Sequence, residues 1–432
     1  MSQSHGPSAD PPSEGSSAES NSPPVSVCAA CGCLCDDIVL VLDGGRIRES
    51  RNACPIGSRW FQVESIADQN ASVSSPCRIE GNASSLPDAV RRSAELLRDA
   101  RAPVLLGLTQ TTIETIRVAV ELADAIGATI DSGASRQSAR SIHAFQRQGR
   151  VTATLGEVKA RADVIVFWGV DPIATHPRHA ERYSIDAVGR FRPNGRADRM
   201  ILVVDEAPTA TSERADHFLP IAGDWELETL WVLRSILLGK SLDPDRVQAL
   251  TGRSLDELAG LVERLKTAEY GAIFGEPIFG PGKTARSLAA FEAMTNFVRE
   301  LNQFAHWVIL PLGGPGNRPG AEAVLSWQTG FPNAVDLGQG IPQSIPGVTS
   351  AADRLARGEA DLAIVVADPL PVDFPIAAID HLKAIPSIVI APATLTYPFE
   401  PTVRISSGNP FLTGNGSVIR CDGVPLPIRS PL

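Results

Sequence analysis

Apolar residues run along this chain in short unbroken blocks rather than in alternation. "APVLLGL" (102–108), "ADVIVFWGV" (162–170), "RMILVVDEAP" (199–208), "GAIFGEPIFGPG" (271–282), "HWVILPLGG" (306–314), "ADLAIVVADPL" (360–370) and "PSIVIAPATL" (386–395) each carry a strand-length apolar run next to Gly, Pro or Asp. Between them lie stretches of helical periodicity: "TTIETIRVAVELADAIG" (111–127), "WELETLWVLRSILLG" (225–239) and "TARSLAAFEAMTNFVRELNQ" (284–303). Gly127 stands where a helix needs a left-handed residue to end. Continuous apolar strands separated by helices predict parallel sheets buried on both faces. "RADVIVFWGVDP" and "EADLAIVVADPL" also echo one another, and each is followed by another Val/Ile strand. The pattern predicts an α/β fold of two doubly wound parallel-sheet units. The boundaries expected are a tail over 1–26, a cysteine-rich module over 27–78 with a hinge near "SSPCRIEGNASS", a first unit over 79–268 and a second over 269–432.

Ligands of such sheets bind at the carboxyl ends of the strands. That singles out the loops 169–179, 205–225, 276–283, 313–340 and 367–370, where Gly and Pro let the backbone approach a ligand. Asp171 or Asp205 could accept from a ribose or an amino group. The alternative is that these are the turns any α/β fold needs. The run "GGPGNRPG" is no phosphate loop, because it lacks the Lys-Ser/Thr that completes one.

Composition adds limits. With 432 residues, 43% of them hydrophobic, the chain can bury the cores of two or three domains. Its 39 basic and 49 acidic residues, net −10, argue against a nucleic-acid groove or an anionic membrane surface. No run approaches the ~20 apolar residues that span a bilayer. Residues 1–26 are Ser/Pro/Gly-rich with no apolar segment, a disordered tail rather than an export signal. A cytoplasmic location follows, with cysteines serving as thiols or metal ligands rather than disulfides.

The cysteines change the picture most. "VCAACGCLCDDI" (27–38) places Cys28, Cys31 and Cys35 in C-x2-C-x3-C spacing with Cys33 between them, and "ACPIGSRWF" adds Cys54. Thiolates so spaced on a tight loop can converge on one centre, which a fourth from elsewhere closes. Gly32 eases the crowding of a backbone folded around it. Small buried hydrophobes are the bland alternative, and between zinc and a [4Fe–4S] cluster spacing alone does not choose. Cys33, Cys77 and Cys421 read as ordinary residues. His176 and His179 in "THPRH" share an i, i+3 spacing but have no third ligand beside them, and Trp327 reads equally as a stacking or a core residue.

These motifs together carry a resemblance. The cysteine module, the strand-G-x-D-P-x-x-x-H-P run and "VVDEAPTATSERADHFLPIAGDWELETL" resemble the molybdopterin oxidoreductases. Within them, "CGCLCDDI" and "VLSWQTGFPNAVDLGQG" (324–340) resemble the B subunits of formylmethanofuran dehydrogenase and of the bacterial formyltransferase/hydrolase complex. The resemblance implies a [4Fe–4S] cluster on Cys28, Cys31, Cys35 and Cys54, in place of zinc. It implies molybdopterin guanine dinucleotide bound through Gly169, Asp171, His176, Asp205 and Thr211. Redox-active members carry a Cys or selenocysteine ligating molybdenum or tungsten, with a His beside it; here those positions fall on Gln137 and Ser138. An amide oxygen is a hard, weak donor beside a thiolate, and the proton-carrying imidazole is gone. Arg136 and Arg140 add positive charge there, and the nearest imidazole, His143, reads as a packing or surface residue. Large members also carry a C-terminal β-barrel domain, which the resemblance leaves out of this chain, whose last run is "SVIRCDGVPLPIRSPL" (417–432). The function expected is a non-redox, organising subunit of a heteromeric complex taking methanofuran-bound formyl groups to formate. The alternative is a working Mo/W-pterin oxidoreductase subunit.

Overall fold

The computed structural model describes residues 25–44, 46–63, 77–133, 135–275, 284–371 and 373–431. Most of the expected tail, the loop 276–283 and the side chains of Arg136 and Gln137 lie outside the described residues.

Strands β1 (Val25–Ser26), β2 (Ile38–Asp43) and β3 (Arg46–Arg51) form a small antiparallel sheet around the cysteine loop. Next come β4 (Cys77–Ile79), β5 (Asn82–Ser84), β6 (Pro103–Gly107) and β7 (Thr129–Asp131). They are followed by β8 (Val164–Trp168), β9 (Met200–Asp205), β10 (His217–Pro220), β11 (Tyr270–Gly275) and β12 (His306–Leu310). After those run β13 (Val335–Asp336), β14 (Leu362–Val366), β15 (Ser387–Pro392) and β16 (Val403–Ser407), then a hairpin of β17 (Gly416–Ile419) and β18 (Pro425–Ile428).

β8 to β12 make an all-parallel sheet in the order β10-β9-β8-β11-β12. The larger sheet runs β13-β7-β6-β14-β15-β16-β4-β5, parallel at its centre and antiparallel at both edges. Both are doubly wound, and the echoing runs supply β8 and β14, each beside the switch point of its sheet. The division does not follow the expected cut between 268 and 269. The segment holding β8–β12 is inserted into the chain of the larger sheet, so strands before residue 131 pair with strands after 335. Periodicity marks strands but carries no information on which strands pair. The expected hinge is, from Cys77 on, the β4–β5 hairpin at a sheet edge.

Unbroken apolar strands are buried on both faces, and alternate residues feed different cores. Val164, Val166 and Trp168 of β8 enter one cluster, Ile165 and Phe167 another. In β14, Leu362, Ile364 and Val366 face one way and Ala363 and Val365 the other. The helix Ile113–Ala125 starts at Thr112, whose hydroxyl accepts from the Thr115 amide, and Gly127 follows its end at φ +63°. The β17–β18 hairpin packs Val418, Leu426 and Ile428 on Val27, Ala29 and Leu34, so the C-terminal segment covers the cysteine loop. No helix among the described residues is long and apolar enough to cross a membrane.

Candidate functional site

The cysteine loop closes on itself: the Cys28 amide donates to the Cys35 carbonyl at 2.9 Å and that of Leu34 to Cys31 at 3.3 Å. Cys54 stands before the helix over 55–63, and its Sγ accepts from the Gly57 amide at 3.4 Å. A Cβ on Gly57 would stand 3.0 Å from Cys28 Sγ and 3.7 Å from Cys54 Sγ, so this glycine leaves room between two sulfurs. Burial pushes the Cys28 thiol up to about 12, with the neighbouring Cys31, Cys35 and Cys54 adding to the rise. Cys31 is held below its ordinary value by a hydrogen bond from the Cys33 thiol. Burial raises Cys35 to about 11, against the pull of the Arg182 and Arg178 guanidinium groups. Among the described residues no three Cys, His, Asp or Glu side chains stand in metal-ligating geometry.

Cys77 lies in β4, within a different core. Cys421, which reads as ordinary in the sequence, comes from the β17–β18 turn to the neighbourhood of Cys31 and Cys33; burial raises it to about 12. Nothing in the sequence could place it there, because the approach depends on how the hairpin folds back.

The loops after β8 and β9 gather the five residues expected to touch a pterin. Gly169, at φ +63°, donates its amide to Val204 at 2.8 Å. Asp171 caps the turn Pro172–Thr175 and also accepts from the Ala210 and Thr211 amides at 3.2 and 3.1 Å and from the Thr211 hydroxyl. Thr211 is fully buried and accepts in turn from the Ile173 amide at 3.2 Å. Both therefore lock the two loops together. Partial burial raises Asp205 from its ordinary value, and it accepts from the Glu206 amide at 2.7 Å. Burial holds His176 below its ordinary value, hence neutral, and its Nε2 donates to the Gly313 carbonyl at 3.0 Å. His179 is instead a core residue, packed edge-on against Phe274 and held near 3 by burial.

Gly313 belongs to the loop after β12, which is the shared wall of the site. On one side it receives the cysteine loop: the Gly316 amide donates to Ala29 at 2.9 Å, and a Cβ on Gly32 would overlap the Leu312 carbonyl. On the other it lines a cavity of about 400 Å³, closed by the helices Ser135–Gln148 and Arg318–Thr329. Ser138, Arg150, Arg318, Glu322 and Cys421 line it. Buried Ser138 meets the Asn333 amide nitrogen at 3.3 Å, while Asn333 Oδ1 is buried without a partner. His143 is exposed, and so is Trp327, at 66%, which removes Trp327 from the core.

A second cavity, of about 290 Å³, shares Gly314 and Arg318 with the first and opens at the switch point between β6 and β14. Its wall holds two aspartates that sequence reasoning does not single out as residues. Asp368 accepts from the Thr109 and Gln110 amides at 2.9 and 2.7 Å, and burial raises it to about 7. Asp131 accepts from the Ser135 hydroxyl at 2.8 Å and the Ala351 amide at 3.0 Å; burial raises it to about 6, and its Oδ1 has no partner. Each sheet closes its switch point with a left-handed glycine against the neighbouring strand: Gly107 (φ +113°) on the Val366 carbonyl and Gly275 (φ +148°) on that of Trp168. A side chain at either would overlap that carbonyl.

No family model matches the chain. Among curated proteins, the B subunit of the tungsten-containing formylmethanofuran dehydrogenase 2 of Methanocaldococcus jannaschii is 34% identical over 416 residues, covering 93% of this chain and 92% of that one. The chain belongs to the B-subunit family of formylmethanofuran dehydrogenase. The Methanococcus maripaludis protein of the same name is 32% identical over 93% of this chain and 92% of its own length. The B subunit of the formyltransferase/hydrolase complex of Methylorubrum extorquens is 28% identical over 68% of this chain and 75% of its own.

Two solved structures share the fold of this family member. One is the Methylorubrum extorquens formyltransferase/hydrolase complex with methylofuran, with TM-score 0.68 and 24% identity over 82% of this chain and 93% of that one. The other is acetylene hydratase of Pelobacter acetylenicus, with TM-score 0.62 and 12% identity over 94% and 66%. The α/β architecture with parallel sheets expected from the hydrophobic pattern is thus shared with both.

Proposed function

We propose that this chain is the B subunit of a methanofuran-linked complex of the formyltransferase/hydrolase kind, that formyl transfer and hydrolysis to formate lie on partner chains, and that it performs no redox chemistry itself. The observation carrying this reading is the wall of the larger cavity. Ser138, paired with Asn333, is the group offered there, and Gln137 precedes it in the sequence. Hydroxyl and amide groups are hard, weak donors for high-valent molybdenum or tungsten. The residues present do not fit that metal.

The cysteine loop does fit a [4Fe–4S] cluster in its donors. Cys28, Cys31, Cys35 and Cys54 would hold it, with Gly57 leaving space between two of the sulfurs. Such a cluster supplies one-electron storage or, where no redox chemistry is done, a cross-link that staples the module. Of the five expected pterin contacts, His176 reaches the larger cavity's wall through Gly313, while Asp171 and Thr211 use their hydrogen bonds within the loops. We assign these five to shaping the strand-end loops.

The second reading is a working dehydrogenase subunit, a Mo/W-pterin oxidoreductase. It is favoured by the tungsten-containing relatives' higher identity, 34% and 32% against 28%. The native complex decides between them. The first reading expects formate release without reduction of an electron acceptor, and turnover unchanged when molybdate and tungstate are withheld during growth. Stoichiometric Mo or W, with dye reduction driven by formylmethanofuran, establishes the second.

A further inference from the structure

We propose that Arg178 and Arg182 are the counter-charges of the cysteine centre and raise the reduction potential of a [4Fe–4S] cluster held by Cys28, Cys31, Cys35 and Cys54. This rests on the cluster assignment above and adds residues to it.

Asp36 and Asp37 follow Cys35 directly in the chain. Arg178 grips Asp37 with both terminal nitrogens, at 2.7 and 2.8 Å, and donates its Nε to Glu181 at 2.7 Å. Arg182 donates to Asp36 at 2.8 Å and also to Asp37. An ion pair exposed on both partners contributes little. Here the cations lie deeper than their anions: the side chains of Arg178 and Arg182 are 15% and 18% exposed, those of Asp37 and Asp36 39% and 41%. The guanidinium groups are thus the more enclosed members of a network that starts at the residue after Cys35. Arg182 also lies over the Tyr183 ring, at 5.2 Å, and Tyr183 shares a core cluster with Cys28, Cys33 and Cys35.

A four-thiolate cluster gains one negative charge when a one-electron reductant reduces it, and no bond breaks. Largely enclosed cations beside the ligand loop would stabilise the reduced form more than the oxidised one, and so would raise the potential. Asp36, Asp37 and Glu181 oppose this, and their greater exposure weakens the opposition.

The test is a potentiometric titration, followed by electron paramagnetic resonance, of the anaerobically purified complex. Arg182→Gln and Arg178→Gln should each move the midpoint to more negative values with iron content unchanged. Arg182→Lys, which keeps the charge, should stay close to wild type. Asp36→Asn removes only a negative charge and should move the midpoint upward, which keeps the proposal testable if a Gln variant loses its iron. An unmoved potential in iron-replete Gln and Asn variants, with only thermal stability lowered, overturns the proposal and leaves the cluster assignment standing. Wild-type complex without iron overturns both.

Discussion

Gly32 shows how much one missing side chain decides. It sits between Cys31 and Cys33 and rests on the backbone of Leu312 and Gly313, the same segment that walls the cavity. Gly32→Ala should therefore lift the cysteine loop off its seat. We expect a loss of about 1–3 kcal/mol, the usual cost of overpacking, in urea unfolding, together with lower iron content. Asp368 is a residue-scale test of pH dependence. Burial raises its carboxyl from 3.8 to about 7, so the folded state holds a proton that the unfolded state has released. Its favourable contribution is complete below pH 4 and is lost as pH rises through about 7. Asp368→Asn should flatten that fall, read as the difference in slope between wild type and variant from pH 4 to 8. Gln137→Cys alone should not create dehydrogenase activity, because Ser138 still offers no imidazole for proton transfer. Dye reduction with formylmethanofuran by this single variant would contradict the assignment.

At the scale of elements, the β17–β18 hairpin fastens the site. Arg420 and Asp422 pair across its turn, at 2.7 Å from Nε to Oδ1 and 2.8 Å from Nη2 to Oδ2, with side-chain exposures of 9% and 0%. Asp422 also accepts from the Leu155 amide at 2.7 Å, tying the hairpin to the helix Leu155–Arg161. Asp422→Ala would leave the buried guanidinium with the Tyr183 hydroxyl, 3.2 Å away. Breaking a buried pair on one side costs about 3–5 kcal/mol, and equilibrium unfolding should show a loss of that order. The same variant should loosen Cys421 against the cysteine loop, seen as faster alkylation of that thiol by mass spectrometry.

The whole molecule presents apolar side chains that its own cores do not use. Trp327, Ile341 and Ile376 are exposed, the first two within and just after the run "VLSWQTGFPNAVDLGQG". Scattered apolar residues need no explanation, but these accompany a chain whose relatives are subunits of larger enzymes. Expressed without partners, the chain should bind a hydrophobic dye or aggregate, and co-expression with partner subunits should suppress both. A monodisperse, cooperatively melting monomer would count against partner dependence.

The sequence by itself determined the elements. Apolar runs too short for helices became β6, β8, β9, β11, β12, β14 and β15, because a strand buried on both faces needs no alternation. It also determined the chemistry that can be offered: thiols at 28, 31, 35 and 54, and Gln–Ser at 137–138. Strand pairing was decided only by the tertiary structure, since each parallel strand is apolar throughout and would suit several neighbours. The insertion of β8–β12 between β7 and β13 therefore left no mark on the pattern. Nothing in the sequence singles out Asp131 or Asp368, because only burial, which depends on the packed sheet, raises a carboxyl. Cys421 is inconspicuous for a related reason: its place beside Cys31 and Cys33 arises from the hairpin folding over the cysteine loop. Local sequence specifies an element through its own backbone and side chains, whereas a site between sheets is specified by contacts across hundreds of residues.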